Sequence, residues 1–395
     1  MQRRVLTVMM VLALLVFAVS AWGGTEGAKN TFYGQGAGAN TTGDDDYDTF
    51  IGAGAGLANT NGKHNTFLGY RTGYANTTGY YNTFLGYYAG RSNTTGIMNT
   101  FLGSTSGNAN TIGNFNTFLG YSSGNANTTG YDNTFVGKYA GNANTTGYDN
   151  TFVGNAAGNA NTTGNYNTFF GNVAGNANTT GSSNTFLGVS AGQANTTGHS
   201  NTFLGSAAGR NTTGSANVFL GNQAGYNETG SNKLYIDNTN TAFPLIYGEF
   251  DNNILAINGK MGIGKKPSTH PLEMASGAHV TTGGVWTNAS SREYKDNIEA
   301  LSSQEAFDTL EGLNPVKFAY KADRTERHVG FIAEEVPELI ATKDHKGLSP
   351  MDIVAVLTKV VQVQEKTIKE LSSEVKELKK ELKSREVATD SASRR

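Results

Sequence analysis

The chain lacks cysteine, and this absence excludes two ways of holding a protein together or at a membrane. Neither a disulfide nor a lipid-modified cysteine can form, so stability has to come from packing and assembly. Charge is scarce as well, because 16% of the 395 residues are charged, against a usual fraction of about a quarter. Between residues 100 and 200 the charged side chains are limited to Asp132, Lys138 and Asp149. A long central region therefore has to fold almost without ionic groups.

The balance of acidic and basic residues bears on possible partners. The net charge is −2 at pH 7, so we expect neither nucleic acid nor an anionic membrane as a partner. Beyond the N-terminal region, no segment is apolar over enough residues to cross a bilayer as a helix. We expect no cofactor and no metal site.

Residues 1–21 predict an export signal. Two arginines precede an apolar run over residues 5–19, and the small residues that follow fit cleavage after Ala21. A membrane anchor is the less favoured alternative, because the run is short for a span. We therefore expect an exported protein, extracellular or on the cell surface, with no stable membrane span after signal removal.

A phenylalanine recurs at every seventeenth position through the middle of the chain, inside a unit close to N-T-F-L/V-G-x-x-A-G-x-A-N-T-T-G-x-x. The unbroken series is Phe67, Phe84, Phe101, Phe118, Phe135, Phe152, Phe169, Phe186 and Phe203. Phe32 and Phe50 extend the series towards the N-terminus, and Phe219 closes it after a step that is one residue shorter. This periodicity predicts a stacked repeat array over residues 31–225.

The length and composition of the unit decide the kind of array. Seventeen residues rich in Gly, Asn and Thr cannot form two helices, but they can form two or three short strands joined by tight turns. Stacking one turn on the next would place Phe on Phe and Asn on Asn. We therefore predict a mainly β protein whose repeats form a β-roll or β-solenoid.

The repeats resemble the head repeats of trimeric bacterial adhesins, on the pattern Asn-Thr-Phe-Leu-Gly at residues 82–86. That resemblance implies a β-roll that associates in threes, and a single-chain left-handed β-helix is the main alternative. Ordered Thr rows that bind ice are a minor alternative. The acidic residues 44–48 are predicted to form a solvated loop rather than a calcium site.

After residue 225 the period ends, and residues 226–289 are predicted to form a short β shaft or linker. Strand candidates lie at residues 233–237, 254–258 and 260–263. The character of the chain then changes, with a predicted helix at 304–310, a strand at 316–320, the segment 328–339 and a helix that begins near Pro350.

Taken in this order from residue 286 to about 370, these elements resemble the intramolecular chaperone domain of phage endosialidases, tail spikes and the myelin regulatory factor, a family of self-cleaving Ser/Lys peptidases. The resemblance implies a chaperone and peptidase domain at residues 290–350 that drives trimerisation and then cuts itself off. The family motif Ser-Asp-x-x-x-Lys matches Ser290 as nucleophile and Lys295 as general base, with cleavage between Ala289 and Ser290. The chain departs from the motif at one position, where Ser291 replaces the usual Asp.

The chemistry imposes two further conditions on this pair. Lysine acts as a base only when it is neutral, and its ordinary pKa is about 10.4, so burial in an assembled trimer would have to lower it. Side chains five residues apart do not share a face of a helix or a strand. A turn between Ser290 and Lys295, or a lysine from a neighbouring chain, is therefore required.

The final helix carries a heptad pattern, which predicts a coiled coil over residues 351–385 followed by a disordered tail at 386–395. The heptad positions, in steps of three and four, are Val354, Leu357, Val361, Gln364, Ile368, Leu371, Val375, Leu378 and Leu382, and all of them except Gln364 are apolar. β-Branched a positions with Leu at d ordinarily favour two strands, whereas the domain resemblance implies three. A single amphipathic helix packed on its own domain is the alternative.

Together with the export signal, the two resemblances imply an exported homotrimeric fibre or adhesin-like protein, of bacterial or phage-derived origin, that cleaves itself once at Ser290. Its expected external partner is a cell-surface glycan or receptor. The alternative is a structural surface protein whose C-terminal domain remains as a permanent trimerisation clamp.

Overall fold

The computed structural model describes residues 29–43 and 46–393. The chain forms two compact units, with the boundary between Asn288 and Ala289. The predicted export signal lies outside the described residues. Within the described part, no helix is both long and apolar enough to span a membrane.

The repeats form a mainly β solenoid with one strand in each turn. Strands β1 to β12 are Thr31–Tyr33, Thr49–Ile51, Thr66–Leu68, Thr83–Leu85, Thr100–Leu102, Thr117–Leu119, Thr134–Val136, Thr151–Val153, Thr168–Phe170, Thr185–Leu187, Thr202–Leu204 and Val218–Leu220. Each strand pairs in parallel with the next turn and in register, so that Phe lies beside Phe. The expectation of two or three strands per turn was wrong, because each turn has one three-residue strand and otherwise consists of turns and bends.

The phenylalanines form a continuous stack inside the solenoid. From Phe50 to Phe219 each ring is fully buried, and the rings of Phe118 and Phe135 are typical, with centroids 4.8 Å apart and planes 6° apart. Burying a side chain of this size stabilises the fold by roughly 1.5–3 kcal/mol. A second buried column, of small residues such as Ala140 and Ala157, completes the apolar interior.

Two columns of buried asparagine provide the polar part of the interior. In one column the backbone N–H of Asn82 donates to Asn65 Oδ1 at 3.0 Å, and its side-chain amide donates to Gly96 O at 2.9 Å. In the other, Asn93 Nδ2 donates to Asn76 Oδ1 at 2.8 Å and to the same Gly96 carbonyl at 3.0 Å. The stacking of Asn on Asn and Phe on Phe that the repeat predicted is therefore confirmed.

Tight corners allow each turn to return to the same column at the next repeat. Gly86 has φ 140°, and a Cβ there would lie 2.4 Å from Gly103 O in the next turn. Gly90 has φ 56°, and a Cβ there would lie 2.5 Å from the ring of Phe84. The neighbouring turn excludes a larger side chain at Gly86, and the phenylalanine stack excludes one at Gly90. The positive φ angles at both positions also favour glycine.

The interior of the solenoid is closed within one chain. The stacked Phe and Asn side chains have no exposed surface through the central turns, so other chains are not needed to complete this core. The preferred expectation of a roll associated in threes concerns contacts on the outside of the array, which a single chain does not contain.

The regular stack ends at the C-terminal side of the array. Strand β13, Lys233–Ile236, still pairs in parallel with β12, but the ring of Tyr235 meets Phe219 edge-on, with 74° between the planes. Antiparallel strands β14, Ile246–Glu249, and β15, Ile254–Ile257, then complete the sheet. Both the ring orientation and the strand direction change at this end.

A second, four-stranded sheet forms the rest of the first unit. It contains β16 (Met261–Ile263), β17 (Leu272–Met274), β18 (His279–Val280) and β19 (Trp286–Thr287). The buried carboxylate of Glu273 accepts backbone hydrogen bonds from Thr269 and His270, each at 2.7 Å. The three strand candidates of the predicted shaft correspond to β13, β15 and β16.

The C-terminal unit is small and mixed. A 3₁₀ turn at Arg292–Tyr294 is followed by helix α1 (Ser303–Glu311), the antiparallel pair β20 (Val316–Tyr320) and β21 (Asp323–Gly330), a 3₁₀ turn at Ala333–Glu335 and helix α2 (Pro350–Ser393). Its core joins α1 to the first turns of α2 through Ala306, Val336, Ile340, Val356 and Val360. Helix α2 continues to Ser393, past residue 385, where the sequence pattern places the end of the coiled coil.

Candidate functional site

A short turn separates the two predicted catalytic residues. Ser291 is the N-cap of the 3₁₀ turn at Arg292–Tyr294, and its Oγ accepts from the backbone N–H of Glu293 at 3.3 Å. The backbone N–H of Lys295 closes the turn by donating to Arg292 O at 3.2 Å. The intervening turn that the Ser290 to Lys295 spacing required is therefore present.

This turn brings the side chains of Ser290 and Lys295 together. Lys295 Nζ donates a hydrogen bond to Ser290 Oγ at 2.9 Å, which is a distance suited to proton transfer between a hydroxyl and an amine. Both residues belong to the same chain, so the contact does not need a lysine from a neighbour. The arrangement can activate the serine hydroxyl once the lysine is neutral.

The surroundings of the pair are open in the single chain. Ser290 and Lys295 are both exposed, and Ala289 on the other side of the predicted scissile bond is half-buried. A single chain therefore supplies the contact between the two side chains but not the burial that the chemistry also requires.

Helix α2 uses one face within its domain and leaves another exposed. Val356 and Val360 are each only 2% exposed, and they pack in the core against α1. The apolar heptad positions lie on other faces and are 41–65% exposed, namely Val354, Leu357, Val361, Ile368, Leu371, Val375, Leu378 and Leu382. The stripe that predicted a coiled coil is thus distinct from the face that the domain uses.

Sequence reasoning missed a buried carboxyl group at the N-terminal end of the solenoid. Asp48 occupies the place of asparagine in the first polar column, where its Oδ1 accepts from the backbone N–H of Asn65 at 2.8 Å. Asp48 and Asp46 are fully buried, so the expectation of a solvated loop was wrong for these two residues. Residues 44 and 45 lie outside the described residues. Counting one full period back from Asn65 would have identified Asp48 as an interior position.

The environment of Asp48 disfavours its charged form. Burial raises the pKa of Asp48 to about 7, and hydrogen bonds from Asn65 and Asn59 oppose the shift. The carboxylate of Asp46 forms an ion pair with Lys63 at 3.2 Å and adds a smaller upward contribution to the pKa of Asp48. Within residues 29–43 and 46–393, no three metal-ligating side chains cluster into a site.

The comparison with known families concerns the C-terminal unit. Residues 290–344 match the family model described as chaperone of endosialidase. This part of the C-terminal unit is therefore similar to that family. The match begins at Ser290, includes Lys295 and ends before α2, which agrees with the resemblance seen in the sequence. No curated protein and no solved structure matches the chain.

Proposed function

We propose that the protein is an exported homotrimeric fibre whose C-terminal chaperone domain assembles three chains and then cuts itself off between Ala289 and Ser290. The observation that carries the proposal is the hydrogen bond between Lys295 Nζ and Ser290 Oγ at 2.9 Å, inside a segment that matches the chaperone family. Fold and family support the repeat array and the chaperone, and the cleavage, export and trimer are our inference from them.

The exposed stripe of α2 supports assembly. Eight apolar side chains that repeat every three or four residues are left half-exposed along the helix, and burying them between parallel helices is the usual solution for such a pattern. Gln364 interrupts the d positions with a polar group. The β-branched a positions alone favour two strands, so the choice of three chains rests on the chaperone family.

The cleavage step can be written with all atoms accounted for. The neutral amine of Lys295 accepts the hydroxyl proton of Ser290 as Oγ attacks the carbonyl carbon of Ala289. The bond from that carbon to the Ser290 nitrogen breaks, and the proton passes from Lys295 to the leaving nitrogen, which becomes a free amine. Water then hydrolyses the ester on Oγ, which releases the Ala289 carboxylate and restores the hydroxyl. Because the bond and the nucleophile belong to one chain, no binding step is needed.

Assembly would control this step through burial of the lysine. Lys295 is exposed in one chain, whereas packing of three chains around residues 290–295 would desolvate it and favour the neutral amine. Cleavage would then follow trimer formation and act once per chain. Efficient cutting by an enforced monomer would contradict this order of events.

A second candidate is a permanent clamp without peptidase activity. It is favoured by the exposure of Lys295 and by Ser291, which stands where the motif has Asp. In this case the domain would hold three chains together and remain attached to the array.

Denaturing gels separate the two candidates. The wild type is expected to give fragments of residues 22–289 and 290–395, whereas Ser290→Ala is expected to remain full length at the same level of trimer. A wild type that assembles into trimers but stays full length would leave the clamp as the function. Sequencing the N-terminus of the smaller fragment places the cut.

The repeat array is the part that we assign to attachment. Its outer surface carries exposed tyrosines such as Tyr70, Tyr87 and Tyr121, which are suited to contact a cell-surface glycan or a protein receptor. Binding of the purified array to a glycan array or to whole cells, lost on replacing these tyrosines with serine, would test this assignment.

A further inference from the structure

Ser291, the first of the four residues between Ser290 and Lys295, has a structural role of its own. Ser291 follows the nucleophile directly, has an extended backbone with φ −63° and ψ 145°, and caps the 3₁₀ turn that leads to Lys295. Its side-chain oxygen accepts from Glu293 N–H at 3.3 Å and its backbone oxygen accepts from Tyr294 N–H at 3.0 Å. Two of the backbone donors at the start of the turn are therefore satisfied by this one residue.

The geometry points to Ser291 as a positioning residue for self-cleavage: by capping the turn, it holds Lys295 Nζ against Ser290 Oγ. This inference rests on the proposed function, since it concerns the same bond between Ala289 and Ser290. Ser291 does not touch the reacting atoms through its side chain. It acts on the distance between base and nucleophile.

The argument depends on how short the connecting segment is. Four residues separate Ser290 from Lys295, and an extended path would carry their side chains to opposite faces. The turn reverses the chain through the hydrogen bond from Lys295 N–H to Arg292 O at 3.2 Å. Loss of the cap exposes the turn to competing conformations, in which the lysine leaves the serine.

The same reasoning identifies which replacements will work. Serine, aspartate and asparagine are all good N-cap residues, because each has an oxygen that can accept from the backbone two or three residues ahead. Alanine has no such oxygen. The rate of cleavage should therefore depend on whether the side chain at position 291 can accept a hydrogen bond, and much less on its charge.

The test compares the first-order rate of cleavage in four full-length proteins. After synthesis is stopped, the conversion of the chain into fragments of residues 22–289 and 290–395 is followed for wild type, Ser291→Ala, Ser291→Asp and Ser291→Asn. We expect alanine to slow cleavage about fivefold or more, the factor that corresponds to a lost cap. Aspartate and asparagine are expected to remain within about twofold of wild type.

A matched control separates positioning from general destabilisation. Ser302 caps α1 in the same unit through its contact with Glu305 N–H at 3.2 Å, so Ser302→Ala also removes one cap. We expect it to lower the melting temperature while leaving the cleavage rate within about twofold of wild type. Ser291→Ala should also keep the pH of half-maximal rate, because it lowers the fraction of chains in which Lys295 contacts Ser290 and leaves the surroundings of the lysine unchanged in the chains that react.

Several outcomes would overturn the inference. Cleavage of Ser291→Ala at the wild-type rate, no rescue by Ser291→Asp or Ser291→Asn, or an equal loss in Ser302→Ala would each do so. A smaller fragment that begins at residue 291 would make Ser291 itself the nucleophile and would also overturn it. If the wild type is not cut at all, the proposed cleavage fails separately. Crystal structures then decide the positioning role, by whether the contact of Lys295 Nζ with Ser290 Oγ is lost in Ser291→Ala.

Discussion

In the solenoid each central turn buries a phenylalanine and asparagines within one chain, whereas helix α2 leaves its heptad positions 41–65% exposed. The first region satisfies its polar groups by contact with the neighbouring turn, so its contacts are short-range in space and repeat along the chain. Helix α2 is rich in charged residues, and in a single chain its apolar stripe stays exposed. The solenoid therefore completes its interior by adding turns, whereas α2 would bury its stripe only in the proposed assembly of several chains.

The largest expected effect comes from disrupting the stripe of α2 that the proposed trimer would bury. Leu371→Asp places a carboxylate in the exposed stripe of α2, and we expect trimers to be lost at micromolar concentration because burying an unpaired charge costs several kcal/mol. Cleavage should be lost with assembly. Size-exclusion chromatography with light scattering, beside denaturing gels, measures both.

A control for this change lies on the same turn of the helix. Ser373→Asp adds the same charge at an f position of the heptad, on the side of the helix away from the stripe, and it should leave both the trimer and the cleavage intact. Loss of assembly in both variants would mean that charge anywhere on α2 is disruptive and that the stripe has no special part.

A similar truncation distinguishes the inside of the solenoid from its surface. Phe135→Ala removes a fully buried ring from the middle of the stack, and it should lower the free energy of unfolding by about 3–5 kcal/mol. Leu119→Ala, at a side chain that is 40% exposed on the outer face of its strand, should cost less than about 1.5 kcal/mol. Urea denaturation monitored by circular dichroism compares the two. Equal losses would contradict a self-contained interior.

The buried carboxyl of Asp48 makes one end of the solenoid sensitive to pH. Its pKa in the folded chain is raised to about 7 from an ordinary value of 3.8, so ionisation is easier in the unfolded chain. The favourable contribution of Asp48 to the free energy of unfolding is complete below pH 4 and is lost as the pH rises through 7. The full difference is on the order of 4 kcal/mol.

Replacing this carboxyl by an amide is expected to remove the pH dependence. Asp48→Asn restores the residue type of the polar column and should stabilise the first turns above pH 7, with little effect below pH 4. The backbone N–H of Asn65 donates to Asp48 Oδ1 at 2.8 Å, so hydrogen exchange at this amide reports on this end of the array. Protection in the wild type that does not change between pH 5 and 8, after correction for the intrinsic exchange rate, would count against the assignment.

The smallest expected effect concerns strain within the regular turns. Val173 is β-branched and has φ 51°, a conformation that is unfavourable by about 1–2 kcal/mol for an L-residue and available to glycine. Val173→Gly should therefore stabilise the protein by about 0.5–1 kcal/mol. Ala177→Gly, at a position outside the left-handed set, should destabilise by a similar amount. Melting temperatures of the two variants give the comparison.

The repeat array was predictable because its period is visible in the sequence and each turn has the same neighbours. Phe on Phe and Asn on Asn follow directly from the constant step between successive units. The number of strands per turn did not follow, because Gly and Asn corners can close a turn with very little strand. Asp48 was misplaced because its acidic neighbours suggested a solvated loop, although its register marked it as interior.

The candidate site was predictable only in part. The spacing of Ser290 and Lys295 required a turn, and such a turn is present. Its capping by Ser291 was not foreseen, because capping depends on local backbone angles that the motif does not contain. The burial that would neutralise Lys295 depends on contacts between chains, and neither the sequence nor a single chain contains them.

The C-terminal end of the array is built by residues outside the repeats, namely the edge-on ring of Tyr235 and the antiparallel strand that follows β13. The way in which the array ends therefore does not depend on how many turns it has. Each added turn advances the stack by roughly 4.8 Å and meets an identical surface above and below. Removing residues 133–149, one complete period, would join Gly-Tyr-Asp to Asn-Thr-Phe, the same junction that residues 130–135 and 147–152 already contain. The number of repeats encoded in the gene therefore sets the length of the array. Repeats could be gained or lost without changing the residues at either end of it.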